Sequence, residues 1–438
     1  MKKDIYIDSI LDNLVKSGSE ISYLKELRNK SIEITTKDIS LSETLNKIAE
    51  EIKKETEEFL NNKNEYNTNY ISCISTCIYL PDFNRNGEYK LKLIGGSAIR
   101  DYNWSINDRT LFDIASITKV YTLLLAFKLE EKGILDLNKK VSEINPDFQN
   151  LEDFTLNDLI RLHGELRTNG NIKDANSREE AYQILKTLYL ESNTREENKY
   201  TDFGAIVLSD TIEKVVSNYL NKSMTFEEIM EEYLLDELFV IDTKFNPSRE
   251  VVSGNGNDLS LVHDPKARIL GGAVGHAGLF TTSDDLARLA KEIYSVNYYN
   301  RGLISRKNLA RLGEITFPNS SQSNKGNLGI YVKHPKGLEK TYTPAEFSTG
   351  SFSHQGWTGS VATFDPNNLI HNNILVNAIY EDSDKDKVRN DKPTGFSVVF
   401  EEYQRQITAN IMLMYVAKQY YNKYCNEKEN IDVTKYIK

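Results

Sequence analysis

Val120-Tyr121-Thr122-Leu123-Leu124-Leu125-Ala126-Phe127 is almost wholly apolar, and Asp113-Ile114-Ala115-Ser116-Ile117-Thr118-Lys119 leads straight into it. Such a stretch forms a helix buried on every side. Ser116 and Lys119 are three residues apart, so the helix stacks them on one face within one turn. A lysine beside a serine hydroxyl at the mouth of a buried helix loses charge to desolvation and can act as a base. Serine needs a base, because its protonated hydroxyl is a poor nucleophile. The Ser-x-x-Lys spacing also arises by chance, so the pair alone decides nothing.

Two further segments give it meaning. Tyr200-Thr201-Asp202 stands directly before a helical run from Phe203 to Val216. His354-Gln355-Gly356-Trp357-Thr358-Gly359 precedes a strand-like Ser360-Val361-Ala362-Thr363-Phe364. The order and spacing of the three resemble the serine beta-lactamase and penicillin-binding-protein superfamily, in which S-x-x-K is followed by Y-x-N or S-x-N and then by K-T-G or H-x-G on a strand. Leu111 to Ser116 and Glu131 to Leu137 are similar to that family's nucleophile helix and its exit. Val262-His263-Asp264-Pro265 and Gly271 to Phe280 are similar to loops of its class-C-like branch. The resemblance covers about residues 41 to 424.

The resemblance implies roles. Ser116 would attack an acyl carbonyl and carry the acyl group as an ester, while Lys119 and Tyr200 share proton handling. The middle motif usually ends in Asn. Asp202 here puts a carboxylate near Lys119, which raises the lysine pKa and favours Tyr200 as the base. Asp202 is also placed to cap the following helix. His354 stands where many relatives carry Lys, so anionic substrates meet only a weak, pH-dependent cation. Gly356 would let the backbone approach substrate closely. The backbone N–H groups of Trp357 and Ser116 would form an oxyanion hole, worth roughly 3 to 4 kcal/mol per donor. The Trp357 ring would be a wall of the cleft.

Other candidates carry less. His163, in Leu159-Ile160-Arg161-Leu162-His163-Gly164-Glu165-Leu166, reads as a structural histidine tying a loop near the site. Glu165 invites a role as water-activating base, but the class-C-like branch uses no such residue. His263, Asp264 and His276 imitate metal ligands, yet the surrounding glycines favour loop architecture; no metal and no cofactor are expected. Gly271-Gly272 and Gly275 lack the lysine and hydroxyl of a phosphate loop. Cys73, Cys77 and Cys425 have no Cys or His pair to complete a zinc site. Two cysteines four apart on one strand lie about 13 Å apart, too far for a bond, so packing is their expected role.

The 438 residues can bury a large core, and a net charge of −10 argues against nucleic acid or an anionic membrane as partner. Met1-Lys2-Lys3 is followed by Asp4, Asp8 and Asp12 with no apolar run of a leader, and nowhere do about 18 apolar residues follow one another. The expectation is a cytoplasmic protein, with reduced thiols.

Periodicity gives the organisation. Residues 1–38 form a helical extension whose Ile7, Ile10, Leu11 and Leu14 must be covered by the body or by a second copy. Ser40 and Glu43 suggest a capping box before a helix with a stripe from Leu41 to Phe59. Alternation at 69–80 and 88–97 around Asn84-Arg85-Asn86-Gly87 reads as a hairpin. Strand signals return at 327–333, 359–365 and 373–380, and a helix spans 399–424. The charged stretch 381–393 reads as a solvated loop. The expected fold is α+β: an antiparallel sheet flanked by helices, about 39–120 and 300–424, with an all-α subdomain at about 121–299 and a tail at 425–438. The active site would lie in the cleft between the two parts.

Fold and motifs serve several chemistries. The leading expectation is a serine hydrolase acting by acyl transfer on a small ester, D-amino-acid peptide or muropeptide fragment. A beta-lactamase or DD-carboxypeptidase is the second, weakened by His354 and the absent export signal. A non-catalytic binding or sensor relative is the third, motivated by Asp202 and the altered loop at His163.

Overall fold

A computed structural model describes residues 54, 73–82, 87–96, 98, 105–191, 194, 197–248, 251–252, 261–299, 302–316, 325–333 and 347–377. The chain divides into two compact units, and the larger, Tyr70–Tyr342 with Thr349–Lys385, contains the three motifs. The extension at 1–38, the helices expected at 41–59 (apart from Lys54, which is helical) and 399–424, the loop at 381–393 and the tail lie outside the described residues.

The main sheet has six antiparallel strands: β1 (Cys73–Asp82), β2 (Gly87–Gly96), β8 (Tyr331–Val332), β9 (Phe352–Gln355), β10 (Val361–Asp365) and β11 (Ile370–Val376). Their order is β2-β1-β11-β10-β9-β8. The hairpin is as expected, with Cys73 opposite Gly96 and Tyr79 opposite Lys90. Cys73 and Cys77 are fully buried in β1 and pack in the core. Across the sheet Ile74 faces Val376, Val361 faces Ile374 and Ala362 faces His354. Two readings need correction. Asn327–Gly329 is a 3-10 turn, with only Tyr331–Val332 extended after it. β9 carried no strand signal, because Phe-Ser-His-Gln lacks the apolar alternation that marks one; pairing on both edges holds it extended.

Between β3 (Leu111–Asp113) and β7 (Phe280–Thr281) the chain is mainly helical, carrying the short ribbon of β4 (Leu166–Arg167) and β5 (Tyr189–Leu190), while β6 (Val251–Val252) pairs with β3. Helix α1 (Thr118–Glu131) runs through the core, buried from Thr118 to Leu129 as its all-round apolarity demands. Each buried leucine there contributes about 2 kcal/mol. Its two threonines are satisfied: Thr122 Oγ1 donates to Gly275 O at 2.8 Å, and Thr118 Oγ1 accepts from Leu279 N at 3.2 Å. Helix α2 (Phe203–Leu220) begins at the second motif, α3 (Pro265–Ile269) is capped by the Asp264 side chain, and α4 (Ser283–Tyr299) covers the sheet. Tyr294 of α4 donates its hydroxyl to Ile370 O at 2.6 Å and accepts from Asp365 N at 3.1 Å. Among the described residues no helix is long and apolar enough to cross a membrane.

Candidate active site

Ser116 lies in a single 3-10 turn, Ala115–Ile117, that leads into α1. Ala115 has φ of 42°, a left-handed conformation that costs an L-residue about 1 kcal/mol. Neighbours hold it there. Asp113 Oδ1 accepts from Ala115 N at 2.7 Å, Asp113 Oδ2 accepts from His263 N at 2.7 Å, and Thr358 Oγ1 donates to Asp113 O at 2.7 Å. Burial lifts the Asp113 carboxyl to a pKa of about 6 against the pull of these backbone donors. The strain therefore sits one residue before the serine, which remains partly exposed.

Lys119 Nζ donates to Ser116 Oγ at 2.9 Å and to Asp202 Oδ1 at 2.9 Å, and reaches His276 O at 3.3 Å. The lysine side chain is wholly buried. Burial alone pushes its pKa down, but the charge of Asp202, with Tyr200 beside it, outweighs burial, and the net shift is upward. The lysine remains an ammonium. Desolvation does not discharge it, contrary to the expectation from burial alone. The second Asp202 oxygen accepts from Lys266 Nζ on α3. Asp202 feels a burial penalty too, yet Lys119, His276 and Lys266 hold its carboxyl well below the usual range. It occupies the position before α2 but makes no side-chain cap; Thr201 Oγ1 accepts from Phe203 N at 3.2 Å instead.

Asp202, Asp264 and His276 bring their ligand atoms within 4.8 Å of one another. Two ammonium groups hold Asp202, and Asp264 Oδ1 accepts from His276 Nε2 at 2.9 Å and from Lys266 N and Ala267 N. The arrangement is an ion-pair network at the start of α3.

The third motif behaves differently. His354 is buried on β9, and its Nδ1 donates to Gln355 O at 2.9 Å. Burial, and then the charge of Lys119, push its pKa down to about 3. It is a neutral imidazole, not the weak cation that its place in the motif suggests. A Cβ on Gly356 would lie 2.5 Å from Ile114 O, so the glycine permits β9 to abut the nucleophile segment, and the close approach is to this chain's own backbone. Trp357 is 58% exposed in the turn closed by Gly359 N donating to Gly356 O at 3.0 Å.

Tyr200 brings in a residue that sequence reasoning passed over. A Cβ at Gly329 would lie 2.1 Å from the Tyr200 ring, so this left-handed glycine (φ 81°) seats the ring against the 326–329 turn. Lys119 Nζ stands 5.1 Å from the ring centroid, and Lys325 Nζ stands 4.2 Å from it and 5.0 Å from the centroid of Tyr331. Lys325 is 9% exposed. Burial, with the like charge of Lys119, pushes its pKa down to about 8.

With that geometry in hand, the family is readable by comparison. The Beta-lactamase family model matches residues 84–398. The chain belongs to the beta-lactamase family. It is 26% identical over 299 residues to the N-acetylmuramyl-L-alanine amidase of Bacillus subtilis strain 168, covering 59% of this chain and 66% of the amidase. It is 25% identical over 328 residues to a putative D-alanyl-D-alanine carboxypeptidase of Salmonella gallinarum, covering 65% of this chain and 73% of that protein. A class C beta-lactamase solved in complex with cefoxitin superposes with a TM-score of 0.59 at 16% identity, over 84% of this chain and 99% of the other, a likeness of fold.

Within this beta-lactamase-family member the three motifs converge on one site. His163 ties a loop as expected: its Nδ1 pairs with Asp158 Oδ1 at 2.9 Å, and it bridges to Asn198, two residues before Tyr200. Glu165 is held by Arg167 and Lys199. Sequence reasoning missed Lys266 and Lys325. Asp264-Pro265 was a signal for the first, because it places Lys266 in a first helical turn; nothing local marks Lys325 in Ser323-Asn324-Lys325-Gly326.

Proposed function

We propose that this protein is a serine hydrolase working through an acyl-enzyme on Ser116, with esters or amides such as D-amino-acid peptides and muropeptide fragments as substrates. The observation that carries the reading is the 2.9 Å hydrogen bond from a buried, charge-paired Lys119 to Ser116 Oγ. Ser116 Oγ bonds to the acyl carbon, and its proton passes through the Tyr200 oxygen to the leaving group as the bond between the acyl carbon and the leaving group breaks. The carbonyl electron pair collects as an oxyanion facing the backbone N–H groups of Ser116 and Trp357. Water then cleaves the ester by the same path, releasing the acid and restoring the serine. Lys119, kept charged by Asp202, stabilises the developing alkoxide and is not the base. The D-alanyl-D-alanine carboxypeptidase reading draws support from the Salmonella relative's name and shares every step.

A panel of p-nitrophenyl esters, D-alanyl anilides and nitrocefin tests this, together with mass spectrometry after fluorophosphonate treatment. Hydrolysis of short esters or anilides should exceed that of nitrocefin in kcat/KM, with one adduct on the Ser116 peptide. No turnover and no adduct would remove the hydrolase reading in favour of a binding protein, and labelling that persists in Ser116→Ala would remove Ser116 as the nucleophile.

A further inference from the structure

Lys325 is a buried ammonium whose nearest partners are two aromatic rings, and none of the carboxylates among the described residues pairs with it. The other two lysines of the site differ. Lys119 and Lys266 share Asp202, one on each oxygen. A buried charge without a counter-charge is costly, and contact with ring faces returns only part of that cost. The site already contains the ring that joins Lys325 to the chemistry: Tyr200 lies under both Lys325 and Lys119, and Lys119 holds the nucleophile. His354, the motif residue positioned to attract an anion, is neutral and spends its Nδ1 proton on Gln355 O.

We propose that Lys325 is the specificity-determining cation of this site, selecting acyl donors that carry a carboxylate. The inference rests on the hydrolase reading and narrows its substrate class to anionic esters and amides. A substrate carboxylate beside the Lys325 ammonium would supply the missing counter-charge and fix the substrate's position relative to Ser116. The charge thus comes from the loop before β8, where no motif places it. The groups facing Lys325 are Tyr200 from the segment before α2, Tyr331 from β8, Lys119 from α1 and His354 from β9. Because burial and Lys119 bring the Lys325 pKa to about 8, the selecting charge fades as pH rises through that value.

The test uses two matched ester pairs and the full chain. In one pair the leaving group carries a carboxylate or the corresponding carboxamide; in the other the acyl group does. At neutral pH wild-type kcat/KM should favour the carboxylate by at least about tenfold in one pair. Lys325→Met should bring that ratio to within about twofold of unity. Lys325→Arg should keep the preference. In wild type the preference should vanish above about pH 8, and in Lys325→Arg it should persist, because arginine stays charged. The wild-type pH series needs no variant to fold. Equal rates on both members of each pair, or a preference unchanged in Lys325→Met, would overturn the inference and leave the hydrolase reading standing. Failure of wild type to cleave any ester or to label at Ser116 would overturn both.

Discussion

The two ends of the catalytic centre are built from the same kind of motif and reach opposite electrical states. At the nucleophile end, Lys119 is wholly buried yet charged, because Asp202 meets it at 2.9 Å and Lys266 completes the cluster. At the strand end, His354 is just as buried but has only a backbone carbonyl as partner, and it is neutral. Burial lowers both groups from their ordinary values, and only Lys119 has a carboxylate within hydrogen-bond reach that reverses the shift. A motif letter names a side chain; the neighbours decide its charge.

The largest effect should come from the charged end. Ser116→Ala and Lys119→Ala are each expected to lower kcat/KM by about a thousandfold or more with the fold retained. Activity within about tenfold of wild type in Lys119→Ala would make the lysine structural and erase the contrast. Next is Asp202→Asn, which restores the residue common in the family but removes the carboxylate shared by two ammonium groups. It should cost about 3 kcal/mol of stability, read from denaturant unfolding, and lower kcat/KM at least about tenfold. A neutral or stabilising Asp202→Asn would mean that Lys119 does not need its partner.

The strand end should respond weakly. His354→Gln is expected to change kcat/KM less than about tenfold and to leave the pH profile between about pH 5 and 8 unaltered. Its folded pKa of about 3 lies below the unfolded value near 6.5, so the unfolded chain binds more protons between the two. Stability from this group is present above about pH 6.5 and lost as pH falls towards 3. His371, buried with Nδ1 donating to Thr363 O at 2.8 Å, adds a second contribution of the same sign. The decline of Tm below about pH 6 should therefore be shallower in His354→Gln than in wild type. An identical slope would remove the burial argument. The smallest effect belongs to Glu165→Gln, whose partners Arg167 and Lys199 lie at the surface; kcat/KM should stay within about twofold.

The apolar run after Ser116 is legible because a helix buried all round must be apolar all round, and the Ser116–Lys119 contact follows from helical spacing alone. The hairpin of β1 and β2 is legible from alternation. β9 is not, since its extended form comes from two flanking strands and not from Phe352 to Gln355 themselves. Asp202 raising the Lys119 pKa could be read from the motif; its sharing with Lys266 could not, because α3 and α2 meet only in three dimensions. The state of His354 was misread, since a sequence gives identity and not burial. Lys325 escaped altogether. Its function depends on two aromatic rings more than a hundred residues apart in sequence, with only Tyr331 nearby in the chain.

The contrast between the two ends is tested most directly by following the imidazole signals of the six histidines by nitrogen-edited NMR from about pH 5 to 8. With the His354 resonances assigned by their loss in His354→Gln, they should stay constant across that range, in the tautomer that keeps the proton on Nδ1. A His354 signal that titrates with a midpoint near pH 6.5 would make the strand end a switchable cation and contradict the assignment of neutrality to it.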